Sequence, residues 1–247
     1  MIISHKHRFV FVKTNKTAGS SMEALLETYL QPGDMMTLRS ELKSDQSKVQ
    51  SLQERGIQIL TPESNFNPHS PLITAHQAFP DSTNYFSFGV LRNPFKRAIS
   101  SFRWNSGKRI ERILKQSLPS DELEKRLQRT FLQYLMSGRH NLNTRGRNLL
   151  QSISPDGCAW CVDRILRLEA LGELEKVLES NTGLKINCSD MPRLKSGTIP
   201  LPKQVNLFTS QVIRWISMQH QWELDTLGYQ IPAAANNNSS EASGQKV

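Results

Sequence analysis

Cysteine is scarce in this chain, which has three among its 247 residues. Three cysteines cannot all pair with one another, and they are too few for a four-thiolate zinc site, so we interpret them as reduced thiols. The spacing of Cys158 and Cys161 leaves a redox pair or half of a metal site as the alternative for those two residues. Cys188 stands alone, and plain packing is the simplest reading of all three.

Long apolar runs are also missing. No segment has the ~18 uninterrupted apolar residues that a membrane-spanning helix needs. The first eight residues, MIISHKHR, lack the apolar core of a secretory signal peptide. We therefore expect a cytoplasmic protein without stable membrane insertion.

Acidic and aromatic residues are in short supply. The chain has 22 acidic against 31 basic residues, which gives a net charge of +9 and favours an anionic partner. Aromatic residues make up only 7% of the chain, and no nucleic-acid readout motif is present. We therefore expect no nucleic-acid partner. A basic nucleic-acid-binding module is the alternative that the net charge leaves open. Eight basic residues and a single acid, Glu111, fall between Arg92 and Lys115. A solvated basic face is the plain interpretation of the more distal ones.

The order of the predicted elements indicates an α/β fold. Strand-like runs alternate with helix-like patterns, which predicts a mostly parallel central sheet flanked by helices, with ligands at the carboxyl ends of the strands. We expect one domain over residues 1–231 and a disordered tail over 232–247. The predicted strands are 8–13, 57–60, 85–91 and 163–168. The predicted helices are one from Ser20 or Ser21 to near Pro32, one at 38–53, one that starts at Pro94, and three at 120–136, 171–180 and 209–227.

The first candidate site is the loop after the strand at 8–13, with the sequence Lys16-Thr17-Ala18-Gly19-Ser20-Ser21. A strand that enters a Gly/Ser loop and then a helix gathers backbone N–H groups and the positive end of the helix dipole, which favours phosphate or sulfate. Ser20 or Ser21 is the expected helix cap. The lysine precedes the glycine, so this is not a Walker A motif. An ordinary strand-turn-helix connection is the alternative.

The second candidate site follows the strand at 85–91. Arg92 ends this strand, Pro94 suits the first turn of a helix, and Ser100 lies about two helical turns further on. An arginine and a hydroxyl so placed are expected to share a phosphate. Arg97 is expected either at this site or, as the plainer alternative, on the helix surface or against an acid. Two anion sites suggest a ligand with an anion at each end.

In this order and about 75 residues apart, the two segments resemble the type 2 carbohydrate branch of the sulfotransferases that use 3′-phosphoadenosine 5′-phosphosulfate. Residues 162–171 and 225–229 are similar to later landmarks of that family. The family usually has proline where this chain has Asn15, threonine where it has Ser20, and asparagine where it has Ala170. These differences remove no presumed catalytic group.

The resemblance implies a P-loop-like sulfotransferase fold and a role for each site residue. Lys16 would neutralise the charge that develops on the bridging oxygen of the leaving nucleotide, and residues 17–21 would hold the 5′-phosphate. Arg92 and Ser100 would hold the 3′-phosphate, and no metal would be required. The acceptor would be a hydroxyl, on a carbohydrate. His76 in Thr74-Ala-His-Gln77 would be the general base, whereas the other five histidines have no comparable context. A nucleotide kinase remains the alternative enzyme class.

Overall fold

The structure is a computed structural model that describes residues 1–39, 42, 45–138, 162–194 and 199–235. The chain divides into two compact units, Met1–Arg92 with Leu142–Ser196 and Asn93–Asn141 with Gly197–Val247. The first unit holds the sheet, and the described part of the second is helical. The single domain over residues 1–231 stays a prediction. The predicted loop at 139–157, Cys158, Cys161 and most of the predicted tail lie outside the described residues.

The fold is α/β, as predicted, and six strands form the sheet of the first unit in the order β4-β3-β1-β2-β5-β6. Strands β2, β5 and β6 are parallel neighbours, as are β3 and β4, whereas β1 is antiparallel to both β2 and β3. The sheet is therefore mostly parallel. The strands are β1 Ile2–Ser4, β2 Phe9–Val12, β3 Met35–Thr37, β4 Gln58–Leu60, β5 Phe86–Leu91 and β6 Arg164–Arg167.

Helices flank the sheet and make up the described second unit. Four of them, α4, α6, α7 and α8, begin and end close to the predicted bounds where bounds were predicted, whereas α1 and α2 are shorter than predicted and α3 and α5 were not predicted. The helices are α1 Gly19–Glu27, α2 Gln46–Glu54, α3 Leu72–Ala78, α4 Pro94–Asn105, α5 Gly107–Leu114, α6 Ser120–Met136, α7 Leu171–Thr182 and α8 Ser210–Leu227. None of the helices that the structure describes is both long and apolar enough to cross a bilayer.

The core of the first unit lies between alternate residues of the strands and the apolar stripes of α1, α2 and α7. Phe9, Phe11 and Phe88 are fully buried on one face of β2 and β5, and the Phe11 and Phe88 rings lie 5.3 Å apart. Burial of one such side chain contributes about 1.5–3 kcal/mol. Met22 and Leu26 of α1 belong to the same cluster. This packing fixes the start of α1 beyond the end of β2.

In the second unit, α4 packs against α5, α6 and α8. Arg97 of α4 is buried and donates to Glu223 of α8 at 2.6 Å, which confirms the plainer alternative that this arginine meets an acid. Burial alone would raise the pKa of Glu223, but Arg97 and a hydrogen bond with His220 outweigh it and lower that pKa to about 2. His220 interrupts the helical backbone of α8 at this point. Arg97 is thus used within the helical packing.

Candidate active site

The two predicted anion sites begin at neighbouring strand ends. Strands β2 and β5 run parallel, with Val12 opposite Gly89, so both deliver the chain to the same edge of the sheet. The Thr14 hydroxyl donates to the Val90 carbonyl at 2.6 Å and ties the first loop to β5. Arg92 follows two residues after Val90. The first unit therefore holds Lys16 and Arg92 at one edge, as the sequence predicted.

The backbone of the first loop has an unusual conformation. Lys16 and Ala18 have φ angles of 61° and 57°, in the left-handed region, which costs a non-glycine residue roughly 1–2 kcal/mol. Alternation of left-handed residues turns successive N–H groups toward one point, and the first N–H groups of α1 have no intrahelical acceptor. Such strain at a loop that leads into a helix is typical of anion-binding sites.

The helix start differs from the prediction in one respect. Ala18 is the N-cap residue of α1 and makes no side-chain capping bond, whereas Ser20 and Ser21 lie within the first turn. The expectation that one of these serines caps the helix was therefore wrong. A left-handed residue directly before Gly19 makes a tight entry into the helix, so the helix begins earlier than the serine positions indicated.

A buried ion pair between Lys13 and Glu23 contacts the loop on its interior side. Lys13, at the end of β2, donates through Nζ to Glu23 at 2.5 Å and to the Ser20 hydroxyl at 3.2 Å. Both charged residues are buried, and Glu23 also accepts from the Met1 nitrogen at 2.8 Å. The Lys13 side chain crosses directly over Gly19, where a Cβ would lie 2.7 Å from Lys13 Cγ. Gly19 is thus required by a close approach, and Lys13 and Glu23 were not predicted from the sequence.

Several predicted side chains are used to hold the loop itself. The Thr17 hydroxyl is buried and lies 2.7 Å from that of Thr14, and Ser21 accepts from the Leu194 backbone N–H at 3.1 Å. The Ser20 hydroxyl accepts from Lys13. The Thr17 hydroxyl also donates to the Thr14 carbonyl at 3.2 Å, whereas the Ser20 and Ser21 hydroxyls only accept in these contacts and keep their own hydrogens for an anion.

Asn15 adds a donor that the sequence did not single out. Its side-chain Nδ2 is buried and has no hydrogen-bond partner within the described part of the chain. An unsatisfied buried donor is costly, typically about 1–3 kcal/mol. This amide stands next to Lys16, at a position where the resembling family usually has proline, so the loop has N–H donors that a proline would lack.

The residues of the second predicted site fall in different units. Arg92 is half-buried at the end of the first unit, and Ser100 is half-buried in α4 of the second. Asn93 caps α4 by accepting from the Phe95 N–H at 2.9 Å. The strand end, the helix start and the two-turn spacing are therefore as predicted, and a shared phosphate at Arg92 and Ser100 stays a prediction.

His76 lies in α3 and is half-buried. Its Nε2 is buried without a hydrogen-bond partner among the described residues. Burial lowers the pKa of His76, and the Asp163 carboxylate opposes this shift. Asp163 accepts from the backbone and hydroxyl of Ser87, both at 2.7 Å. Ser87 is five residues before Arg92, which is about 16 Å along a strand at ~3.3 Å per residue. The carboxylate that opposes the shift of the His76 pKa is therefore bound toward the start of β5, away from Arg92.

His69 contacts Lys13, which directly follows β2 and precedes the first loop. Its Nδ1 lies 3.2 Å from the Lys13 carbonyl, which only accepts, so Nδ1 carries the proton and Nε2 is the basic nitrogen of the neutral ring. Burial and the Lys13 charge lower the pKa of His69 to about 4. No sequence pattern singles out this residue, because its contact with Lys13 joins positions that are 56 residues apart.

Comparison with known proteins adds the decisive observation. The model of the sulfotransferase family matches residues 1–186, which is three quarters of the chain. The chain belongs to the sulfotransferase family. It is therefore an enzyme that transfers sulfuryl groups, and the α/β architecture agrees with that membership.

Other comparisons are sparse. A crystal structure of a sulfotransferase from Alicyclobacillus acidocaldarius is similar to this chain, with 13% sequence identity and a TM-score of 0.36. The matched region covers 90% of this chain and 96% of the bacterial chain. No curated protein matches the chain.

Proposed function

We propose that this sulfotransferase moves a sulfuryl group from 3′-phosphoadenosine 5′-phosphosulfate to a hydroxyl of a carbohydrate, within one catalytic domain over residues 1–231. The observation that carries the donor assignment is the strained loop at residues 16–18, which leads into the N-terminus of α1. This geometry fits a terminal phosphosulfate. The net charge of +9 favours a donor and an acceptor that carry negative charge.

The residues of the loop fit such a donor. The loop offers backbone N–H groups, the Lys16 ammonium and the Asn15 Nδ2, which has no partner among the residues that the structure describes, and all of these groups donate hydrogen bonds. The close approach at Gly19 keeps the loop narrow. The donor supplies an activated sulfuryl group on its 5′-phosphate. Lys16 neutralises the negative charge that develops on the bridging oxygen of the leaving nucleotide. Arg92 and Ser100 bind the 3′-phosphate.

The acceptor hydroxyl must lose a proton, and two histidines are candidates for the base. His76 has the sequence context of the family and a buried Nε2 without a described partner. His69 contacts the Lys13 carbonyl, just before the loop, and has a basic Nε2. We keep His76 as the proposed base. His69 is the competing candidate, and the two predict different mutant phenotypes.

The test compares Lys16→Ala, His76→Ala and His69→Ala by titration with adenosine 3′,5′-bisphosphate and by turnover at saturating donor. Lys16→Ala should weaken nucleotide binding and lower turnover, because its charge meets the bound phosphates and the developing charge. His76→Ala should lower turnover about 10²–10⁴-fold with nearly unchanged nucleotide affinity. Near-full turnover in His76→Ala, with the large loss in His69→Ala, would move the base to His69. ATP-dependent transfer that requires magnesium would favour a kinase.

A further inference from the structure

The second unit contains a cavity of about 900 Å³ where α4, α5 and α6 meet. Neither predicted anion site includes it. Four of the eight basic residues between positions 92 and 115 line its wall, together with one acid and one tryptophan. These residues are Arg103, Lys108, Arg109, Arg112, Glu111 and Trp104.

The charge of this cavity is strongly positive. Glu111 is the single acid among its lining residues, and it is already paired with Lys115 at 2.9 Å, one helical turn further along α5. Hydrogen bonding to Lys115 lowers the pKa of Glu111, so its carboxylate stays ionised and held on that lysine. The four cations of the wall therefore face the cavity with little opposing charge. A ligand with two or more negative charges fits this wall.

Two of the arginines are held in place by the protein. Arg103 donates through Nε to the Ile199 carbonyl at 2.8 Å, and Arg109 donates through Nη2 to Gln133 at 2.9 Å. An arginine has five N–H donors in a rigid fork, and the bond to Gln133 uses one of those of Arg109. A guanidinium fixed in this way loses little freedom when it binds a planar carboxylate or a sulfate ester.

Trp104 gives the cavity an apolar face. Trp104 is 53% exposed, so its indole is accessible to a ligand in the cavity. A ligand that stacks on the indole and also pairs with the arginines has a flat apolar surface and negative charges within one molecule. An acidic sugar has both, because one face of its ring presents C–H groups and its substituents carry a carboxylate or a sulfate.

The position of the cavity relates it to the proposed reaction. Ser100, Arg103 and Trp104 are spaced three and four residues apart in α4, so they share one face of the helix. Arg103 and Trp104 begin the cavity about one turn beyond Ser100. An acceptor bound there extends along the helix that presents Ser100.

We propose that this cavity is a binding site for the acceptor saccharide and that it selects a chain that already carries carboxylates or sulfate esters. This inference rests on the proposed function, since it assumes that the acceptor is a glycan. Arg109 and Arg112 bind the anionic substituents, Arg103 orients them, and Trp104 stacks on the ring. The four basic residues of the cavity wall then determine which acceptor binds, and they are not merely a solvated face.

The experiment titrates the full chain with hexagalacturonate, a sulfated galactan hexasaccharide, maltohexaose and a single-stranded DNA 12-mer at constant salt. The test variants are Arg109→Ala/Arg112→Ala and Trp104→Ala. The control is Lys125→Ala/Arg129→Ala, which removes the same charge from exposed positions of α6 outside the cavity. Each variant is also titrated with adenosine 3′,5′-bisphosphate, and its folding is checked by circular dichroism.

We expect at least one acidic hexasaccharide to bind and maltohexaose to bind at least tenfold more weakly. Both cavity variants should lose at least tenfold in affinity for the acidic probe, and the control less than twofold. Equal losses in the control and the cavity variants, or no binding of either acidic probe, would overturn the inference. So would DNA binding that is tighter than glycan binding and depends on the same residues. Failure of adenosine 3′,5′-bisphosphate to bind the unmodified chain would instead refute the proposed donor.

Discussion

Gly19→Ala tests whether the close approach beneath the loop matters for donor binding. An alanine Cβ at this position would lie 2.7 Å from Lys13 Cγ and 3.2 Å from the Thr14 carbonyl oxygen. Overpacking of this kind costs about 1–3 kcal/mol. Alanine favours a helix over glycine by at most about 1 kcal/mol, and less in the first turn. The clash should therefore win, with a net loss of about 1–2 kcal/mol.

Gly172→Ala is the matched control, because Gly172 also lies in the first turn of a helix and a Cβ there has no atom within 4 Å. Thermal unfolding should show a Tm lower by about 2–8 °C for Gly19→Ala and no loss for Gly172→Ala. Titration should show weaker binding of adenosine 3′,5′-bisphosphate for Gly19→Ala alone, because Lys13 and Thr14 must move and the loop moves with them. If the two variants have the same Tm and the same nucleotide affinity, Gly19 does not shape the site.

Three further results are expected. Arg92→Ala should weaken binding of adenosine 3′,5′-bisphosphate by about 10–150-fold, since a charge-assisted phosphate contact is worth about 1.5–3 kcal/mol, and Ser100→Ala should weaken it less; unchanged affinity would remove Arg92 from the site. Turnover should persist in excess EDTA, because Lys16 and backbone N–H groups stabilise the leaving group, and complete loss that magnesium restores would contradict this. The pKa of His69 is about 4 in the folded protein and near 6.5 when unfolded, so the unfolded chain binds the proton first and stability falls as pH drops from 6.5 to 4. At ~1.36 kcal/mol per pH unit, the loss in the free energy of unfolding is up to about 3 kcal/mol. Urea unfolding at several pH values should show that this free energy depends less on pH in His69→Phe than in the unmodified chain. The same pH dependence in both proteins would contradict the burial of His69.

The parts of the fold that were predictable are those set by local sequence. The run Phe9–Val12 and the pattern from Met22 to Leu26 define a strand, a loop and a helix without any distant contact. Pro119, Ser120 and the acids that follow give the start of α6, which begins where predicted. Strands β1 and β3 have only three residues each and were missed, because so short a segment carries almost no periodic signal. β4 is equally short and was predicted from the apolar residues Ile57, Ile59 and Leu60.

The missed parts of the site depend on contacts between distant positions. Lys13 is the last residue of the predicted strand 8–13, and nothing in the sequence indicates that its ammonium pairs with Glu23 in the interior. The contact of His69 with the Lys13 carbonyl likewise depends on how the segment after β4 returns to the end of β2. The backbone strain at Ala18 has no sequence signal, since alanine seldom adopts a left-handed conformation.

The central claim is that the loop at residues 16–21 and Arg92 bind a nucleotide with phosphates at both the 5′ and 3′ positions. Calorimetric titration of the unmodified chain with adenosine 3′,5′-bisphosphate, ADP and magnesium ATP tests it most directly. We predict that the bisphosphate binds about 10–150-fold more tightly than ADP, which lacks the 3′-phosphate, and that magnesium ATP binds no better than ADP. Magnesium ATP that binds as tightly as the bisphosphate, or more tightly, would contradict the proposed donor.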